Sequence, residues 1–216
     1  MTVQNGFLVD LKRCTGCKAC QVACKAENNT RPQRGDPRGA SVDYRRVVFS
    51  RSGSDSATMT RLFVSTACYH CGTPACMPVC PVGAISKRGA DGVVLIDYDL
   101  CIGCRRCYFA CPYGAPQYNG RVRKTQKCTF CEHLLSQGLT PACVATCVSK
   151  ALNYRTDITS NSTADITADG PTGNPGEAAF DAGATWKRDS GTYTTVLGTN
   201  VTKHAATKPN VGFRLP

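Results

Sequence analysis

The sixteen cysteines of this 216-residue chain fall into four groups of four, with none left over. In every group the first two cysteines are separated by two residues and the last two by three residues. The third group is followed by Pro112 and reproduces the cysteine run of bacterial ferredoxins, whose thiolates bind iron–sulfur clusters. The spacing therefore predicts cluster ligands. The groups are Cys14-Cys17-Cys20-Cys24, Cys68-Cys71-Cys76-Cys80, Cys101-Cys104-Cys107-Cys111 and Cys128-Cys131-Cys143-Cys147.

The last cysteine of each group is expected to serve a different cluster from the first three. In two-cluster ferredoxins the fourth cysteine of each run ligates the neighbouring cluster. We therefore expect the second and third groups to exchange their last cysteines, and the first and fourth groups to do the same. Each resulting set would hold one [4Fe–4S] cluster: set 1 (Cys14, Cys17, Cys20, Cys147), set 2 (Cys24, Cys128, Cys131, Cys143), set 3 (Cys80, Cys101, Cys104, Cys107) and set 4 (Cys68, Cys71, Cys76, Cys111).

Two other uses of these cysteines compete with cluster binding. Disulfides stabilise small secreted chains, but short spacing repeated in every group favours convergence on one metal centre. Structural zinc sites also use pairs of cysteines, normally with a long loop between the pairs. The first and third groups place three thiols within seven residues, so only the fourth group is typical of zinc. Disulfides and zinc are therefore the weaker interpretations.

Two histidines lie beside cysteines and have the chemistry of ligands. His70 stands between Cys68 and Cys71, and His133 follows Cys131 at a distance of two residues. Sixteen thiols already complete four sets, so neither imidazole is needed as a ligand. Each is more typical of a hydrogen-bond donor near a cluster sulfur or of a side chain that faces solvent.

An internal repeat predicts the fold. An aliphatic strand and an aspartate precede the first group at residues 6–10 and the third group at residues 93–97, and a Cys-x-Gly-Cys sequence follows each. The repeat indicates an α+β fold of two interlocked, bacterial-ferredoxin-like lobes related by a pseudo-two-fold axis. One lobe would combine residues 1–30 with 121–155, and the other would comprise residues 61–120.

Two further segments surround these lobes. Residues 31–60 form a polar insertion, in which residues 44–50 favour a strand and residues 52–58 a turn or loop; a further strand is expected at 61–66. The last segment, residues 156–216, contains no cysteine and is rich in threonine, serine, alanine, glycine and aspartate. We expect it to form either an irregular, extended C-terminal arm, with one strand at residues 192–197, or a disordered tail.

The formal net charge of +11 would suggest a nucleic-acid partner, were the clusters left out of the balance. An oxidised [4Fe–4S] core with four thiolates carries about −2, so four clusters contribute roughly −8 and no nucleic-acid binding is expected. Five cations lie beside ligands and can either raise reduction potentials or form a solvated face. They are Lys18, Lys25, Arg105, Arg106 and Lys127.

The chain lacks the sequence features of an enzyme or of a membrane span. It contains no glycine-rich dinucleotide or phosphate motif and no acid–base or nucleophile constellation. No apolar run reaches 18 residues, and the first ten residues lack the pattern of a signal peptide. We therefore expect a non-catalytic conductor of electrons with no direct small-molecule substrate, which a partner could carry across a membrane or hold against one.

Three short sequences around the cysteines carry a family resemblance. They are ACKAEN at residues 23–28, YHC at 69–71 and CTFCEH at 128–133. With the four groups, they resemble the iron–sulfur (beta) subunit of dimethyl sulfoxide reductase-type molybdopterin oxidoreductases, a family that includes polysulfide, thiosulfate, tetrathionate and arsenate reductases. The resemblance covers roughly residues 1–155.

This resemblance implies a subunit with four [4Fe–4S] clusters between two partners. One partner would be a catalytic subunit that holds molybdopterin with molybdenum or tungsten, and the other an integral-membrane, quinone-reactive subunit. Set 1 would abut the catalytic subunit, set 4 would lie nearest the membrane, and sets 2 and 3 would lie between them. The chain would be peripheral on the cytoplasmic membrane, either on the periplasmic face after co-export or on the cytoplasmic face. The alternative is a soluble polyferredoxin, or the subunit through which electrons enter a hydrogenase or formate-oxidising complex.

Overall fold

The computed structural model describes residues 3–30, 42–52, 60–159, 166–167, 185–188 and 211–214. Within these ranges the elements are short strands and four short helices, as expected for an α+β chain. The helices are α1 (Ala19–Glu27), α2 (Arg106–Ala110), α3 (Glu132–Leu135) and α4 (Ala142–Ala145). The strands are β1 (Val3–Asp10), β2 (Arg45–Ser52), β3 (Thr60–Ala67), β4 (Ile85–Lys87), β5 (Val94–Ile96), β6 (Gln117–Asn119), β7 (Lys124–Gln126), β8 (Leu152–Thr159), β9 (Ile166–Thr167), β10 (Thr185–Arg188) and β11 (Val211–Arg214).

The strand predicted before the first group is β1, and it lies inside the main sheet. The sheet has the order β8-β1-β11-β10-β9, with β1 antiparallel to β8 and parallel to β11. Phe7, Leu8 and Val9 are each at most 2% exposed, so this strand is buried on both faces. A continuous apolar run is the pattern that such burial requires. The predicted strand is therefore confirmed.

The described parts of residues 156–216 differ from the irregular arm that the composition predicts. Strand β8 continues to Thr159, and β11 pairs with β1 from Phe7↔Val211 to Asp10↔Arg214. The edge of β1 opposite β8 carries backbone N–H and C=O groups that need partners, and β11 supplies them. The strand expected at residues 192–197 lies outside the described residues.

The polar insertion contributes one strand of an antiparallel hairpin. Strands β2 and β3 pair in register from Arg45↔Ala67 to Ser52↔Thr60, which confirms the strands predicted at 44–50 and 61–66. The turn or loop expected at 52–58 lies, apart from Ser52, outside the described residues. On β3, Val64 is 0% exposed, so the hairpin packs one face into the protein interior.

Smaller elements hold the third cysteine group. Strands β4 and β5 form one antiparallel ribbon and β6 and β7 another, and β5 confirms the strand predicted at 93–97. Helix α2 contains Cys107 and is capped at its C-terminus by Cys111, while α1 contains Cys20 and Cys24. A spacing of three residues on such a turn directs both thiols to one side of the helix. Helical turns therefore position the last two cysteines of both groups.

Two apolar clusters form the interior of the part of the chain that the structure describes. The larger one includes Phe7, whose ring stacks on that of Phe130 with centroids 4.2 Å apart, together with Val64 and Val93. The smaller one surrounds Ile85 and β5. Burying a Phe or Val side chain contributes roughly 1.5–3 kcal/mol. The larger cluster draws on both expected lobes and on the insertion; the lobe boundaries themselves stay a prediction.

Candidate metal centres

Three cavities are each lined by four cysteines that come from two different groups. The first contains the thiols of set 1, the second those of set 3 and the third those of set 4. In each case three cysteines come from one group and the fourth from its expected partner group. The structure thus brings these twelve predicted residues together in the predicted combinations.

The four thiols of set 2 are all buried, and they interact with one another. Burial, then the negative charge of Cys143, raises the pKa of Cys24 to about 12. The same two causes, in the same order, raise the pKa of Cys131 to about 11. Burial and then Cys24 raise the pKa of Cys128 well above its ordinary value. These four sulfurs therefore share one buried environment, although the first comes from α1 and the others from the fourth group.

Repeated turns place the first thiols of two groups. The Asp10 carboxylate accepts hydrogen bonds from the backbone N–H groups of Lys12 and Arg13, at 2.8 and 3.3 Å, and its carbonyl accepts one from the Cys14 N–H at 3.1 Å. Asp97 accepts the same bonds from Asp99, Leu100 and Cys101, at 2.8, 3.3 and 3.1 Å. Aspartate is suited to this turn because its short carboxylate reaches the backbone two residues later.

Glycine follows in both groups for reasons of packing and backbone conformation. Gly16 and Gly103 have φ values of +73° and +70°, a region that costs residues with a Cβ roughly 1–2 kcal/mol. A Cβ on Gly16 would overlap the ring of Phe63, and one on Gly103 would overlap the backbone carbonyl oxygen of Arg123. Close packing of neighbouring protein atoms therefore excludes a side chain at both positions.

The donor sets fit iron–sulfur clusters chemically. All sixteen cysteines are free thiols. Burial, and then the negative charge of Cys68, raises the pKa of Cys76 to about 12. Thiolates that lie close together in a buried site repel one another. A cationic cluster core that replaces the thiol protons removes this repulsion, and soft thiolates are its preferred ligands. Among the described residues, no three histidine, cysteine, aspartate or glutamate side chains converge as a site for one metal ion.

The two candidate histidines have other contacts. His70 is fully buried, and its Nδ1 accepts a hydrogen bond of 3.0 Å from the Val94 N–H. Burial, then Lys127, lowers the pKa of His70 well below its ordinary value, so the ring is neutral. His133 lies at the surface, with its Nε2 2.8 Å from Glu27 Oε1. The contact of His133 agrees with the solvent-facing role that the sequence favoured, whereas the Nδ1 of buried His70 accepts its hydrogen bond from a backbone N–H.

Only one of the five cations predicted to flank ligands is buried. Lys127 is 1% exposed, and its Nζ donates to the backbone carbonyls of Val94 and Cys128. Lys25 instead pairs with Asp43, with 2.5 Å between Nζ and Oδ1. The guanidinium of Arg105 lies 3.9 Å from the ring centroid of Tyr118. The remaining two, Lys18 and Arg106, are exposed.

Arg45 is a residue that the sequence reasoning missed. It is 1% exposed and lies among thiols of sets 1 and 2. A signal was present in the sequence, because adjacent residues on a strand point to opposite faces. When two successive arginines begin a strand with one buried face, one of the two side chains has to point into the interior. Arg46, on the other face, donates to the backbone carbonyls of Tyr113 and Gly114.

Electrostatic interactions between thiols of different sets indicate which sets are neighbours. Burial raises the pKa of Cys20, and Cys143 of set 2 raises it further, so sets 1 and 2 are neighbours. Cys68 of set 4 contributes in the same way to the raised pKa of Cys128 in set 2. Cys107 of set 3 contributes to that of Cys76 in set 4. The order is therefore 1, 2, 4, 3, which corrects the expectation that set 3 lies between sets 2 and 4.

Both ends of this series reach the surface. Cys17 in set 1 and Cys104 in set 3 are the exposed thiols among the sixteen. Apolar side chains are exposed near each end: Val148 (79%) follows Cys147 of set 1, and Ile102 (62%) and Phe109 (80%) lie in or beside the third group. Within the described residues, no helix has the length and apolar character to cross a membrane.

Comparison with known proteins identifies the family. Two family models described as a 4Fe-4S dicluster domain match residues 13–85 and 59–157. An anaerobic dimethyl sulfoxide reductase chain of Escherichia coli is 41% identical over 162 residues, which cover 71% of the present sequence and 74% of the relative. A tetrathionate reductase subunit of Salmonella typhimurium is 43% identical over a match that covers 67% of the present sequence and 55% of the relative. A sulfite dehydrogenase subunit of Allochromatium vinosum is 38% identical over a match that covers 68% of the present sequence and 67% of the relative. The protein thus belongs to the iron–sulfur subunits of the dimethyl sulfoxide reductase family of molybdopterin oxidoreductases, and its function is electron transfer.

Proposed function

We propose that the chain relays single electrons through four [4Fe–4S] clusters between a molybdopterin catalytic subunit and a membrane-bound, quinone-reactive subunit. The observation that carries this proposal is the lining of three separate cavities by four cysteines each, in crossed combinations. Set 2, whose four thiols are all buried, completes the series. Each bound cluster supplies a centre that accepts and returns one electron.

The residues of the chain hold, orient and shield these centres. Sets 1 to 4 would ligate one cluster each: Cys14, Cys17, Cys20 and Cys147; Cys24, Cys128, Cys131 and Cys143; Cys80, Cys101, Cys104 and Cys107; Cys68, Cys71, Cys76 and Cys111. Apolar neighbours such as Val9 and Leu152 around set 1, and Ile85 and Ile96 around set 3, exclude water. Exclusion of water strengthens the effect of nearby charges on the reduction potentials.

The order of the sets supports a path with two docking ends. Electrons would pass between the exposed Cys17 end and the exposed Cys104 end, through the buried set 2 and the partly buried set 4. Exposed apolar side chains beside a functional site are typical of partner contacts. We assign the Cys17 end to the catalytic subunit and the Cys104 end to the membrane subunit. The chain itself would be non-catalytic, without a direct small-molecule substrate, and peripheral on either face of the membrane.

Anoxic purification of the chain with a tag tests this function. Co-purification of a large pterin-containing subunit, together with broad absorption at roughly 400 nm, is the expected result. A brown monomer without any partner would favour a soluble polyferredoxin. Colourless protein that contains zinc and no acid-labile sulfide would overturn electron transfer altogether.

A further inference from the structure

Arg45 places a buried positive charge next to set 1. The side chain leaves the first residue of β2, and its Nη1 donates a hydrogen bond of 3.0 Å to Ser65 Oγ on β3. The same hydroxyl lies 3.5 Å from the Cys20 sulfur of set 1. On the other side, the guanidinium lies 4.2 Å from the centroid of the Phe7 ring. Strand pairing and an aromatic ring therefore fix the position of the charge.

The same guanidinium is also close to set 2. The Phe7 ring that it contacts stacks on Phe130, which lies between Cys128 and Cys131 of set 2, and the thiols that act most strongly on its charge are those of Cys143, Cys20, Cys128 and Cys24. One of these four thiols belongs to set 1 and the other three to set 2. The charge is therefore located between the two sets, at the point where they are neighbours.

The guanidinium has donor capacity to spare. Its Nε and Nη2 have no hydrogen-bond partner among the described residues. No carboxylate of the described residues forms an ion pair with it. A buried cation is unfavourable without a counter-charge. The thiolates of the two sets are the anionic groups that surround Arg45, so the compensation has to come from them.

We propose that Arg45 is a positioning residue whose permanent charge is shared by the first two cluster sites and raises the reduction potentials of both. The inference rests on the proposed four-cluster function. When either site accepts one electron, its net charge falls by one and no proton needs to bind, because a guanidinium stays protonated throughout. The nearby positive charge stabilises the added electron in both sites, and most strongly where water is excluded.

Lys127 shows why Arg45 is distinctive. Lys127 is also buried, and it lies between Cys128 of set 2 and the cavity of set 4. Its ammonium group, however, already donates to two backbone carbonyls. Within the described part of the chain, the guanidinium of Arg45 has one hydrogen bond, to Ser65, and its surroundings contain thiols.

The test compares two substitutions of Arg45 in the assembled complex. Arg45→Met removes the charge, whereas Arg45→Lys keeps the charge but loses the planar fork of donors. Iron and sulfide contents are measured first, and the midpoint potential of each cluster is then measured by EPR-monitored redox titration. We expect Arg45→Met to lower two of the four potentials, or to lose the iron of two sites. Arg45→Lys should retain the iron and potentials close to those of the wild type.

Arg46→Gln is the matched control, because it removes the same charge from the adjacent residue on the other face of β2. It should leave the two potentials that depend on Arg45 unchanged. The inference is overturned if Arg45→Met and Arg45→Lys behave alike, whether both keep the wild-type potentials or both lose iron. Wild-type complex without iron would instead defeat the proposed function itself, so the two failures are distinguishable.

Discussion

Asp10 and Asp97 make the same turn in two parts of the chain. Each carboxylate accepts hydrogen bonds from the backbone N–H groups two and three residues later, and each carbonyl accepts one from a cysteine four residues later. Both turns lead from a strand into a Cys-x-Gly-Cys sequence. The internal repeat is thus a repeat of local geometry as well as of sequence.

Removal of the Asp97 side chain is predicted to weaken the third cysteine group. Asp97→Ala leaves two backbone N–H groups without their carboxylate acceptor, which lowers the free energy of unfolding by about 1 kcal/mol. Denaturant unfolding of the anoxic holoprotein measures this change. Asp97→Asn is the control, because its amide oxygen still accepts both bonds. Equal loss in the two variants would mean that the turn does not depend on this acceptor.

Gly103→Ala is predicted to be more harmful than Gly138→Ala. Both glycines have φ near +70°, so both substitutions carry a backbone cost of roughly 1–2 kcal/mol. A Cβ at Gly103 would also overlap the Arg123 carbonyl oxygen, whereas at Gly138 it meets no atom within 4 Å. The rate at which a chelator removes iron from each variant compares them. Similar rates would contradict the close packing at Gly103.

If ligation is crossed, substitution of two cysteines from different groups is predicted to alter the EPR signal of the same cluster. Cys147→Ser should perturb the same EPR signal as Cys14→Ser, although the two residues are far apart in the sequence. Cys24→Ser should perturb a different signal, the one that Cys128→Ser also alters. The result that contradicts crossing is a common effect of Cys147→Ser and Cys128→Ser on one signal.

The exposed apolar residues near Cys104 are predicted to act in partner binding. Phe109 is 80% exposed, so Phe109→Ala should change the free energy of unfolding by no more than about 0.5 kcal/mol. Its removal should nevertheless reduce the amount of membrane subunit that co-purifies. Leu139→Ala serves as the control, because this side chain is 50% exposed and lies between helices α3 and α4, away from the third cysteine group in the sequence. Unchanged co-purification with Phe109→Ala would argue against this docking end.

Local patterns predicted much of the fold and the grouping of the cysteines. The apolar run of β1 and the strands β2 and β3 are encoded by neighbouring residues. The combination of Cys147 with the first group follows from the known behaviour of ferredoxin runs, and set 1 lines one cavity. Such features depend on short-range periodicity and on a repeated spacing.

Long-range relationships were harder to predict. The pairing of β11 with β1 depends on a free sheet edge that no local pattern reveals. The electrostatic interaction between Cys68 and Cys128, which places set 4 beside set 2, depends on how the larger apolar cluster joins distant segments. Arg45 was missed because its importance lies in the thiols around it, and these come from three other parts of the chain.

Iron and acid-labile sulfide analysis of the anoxically purified chain tests the central claim most directly. Four [4Fe–4S] clusters predict about sixteen irons and about sixteen sulfides per chain. Cys131→Ser, at a proposed ligand of set 2, should lower the iron content by about four atoms, since the other three sets keep all their thiols. A wild-type chain with fully reduced thiols, no sulfide and no iron would contradict the account.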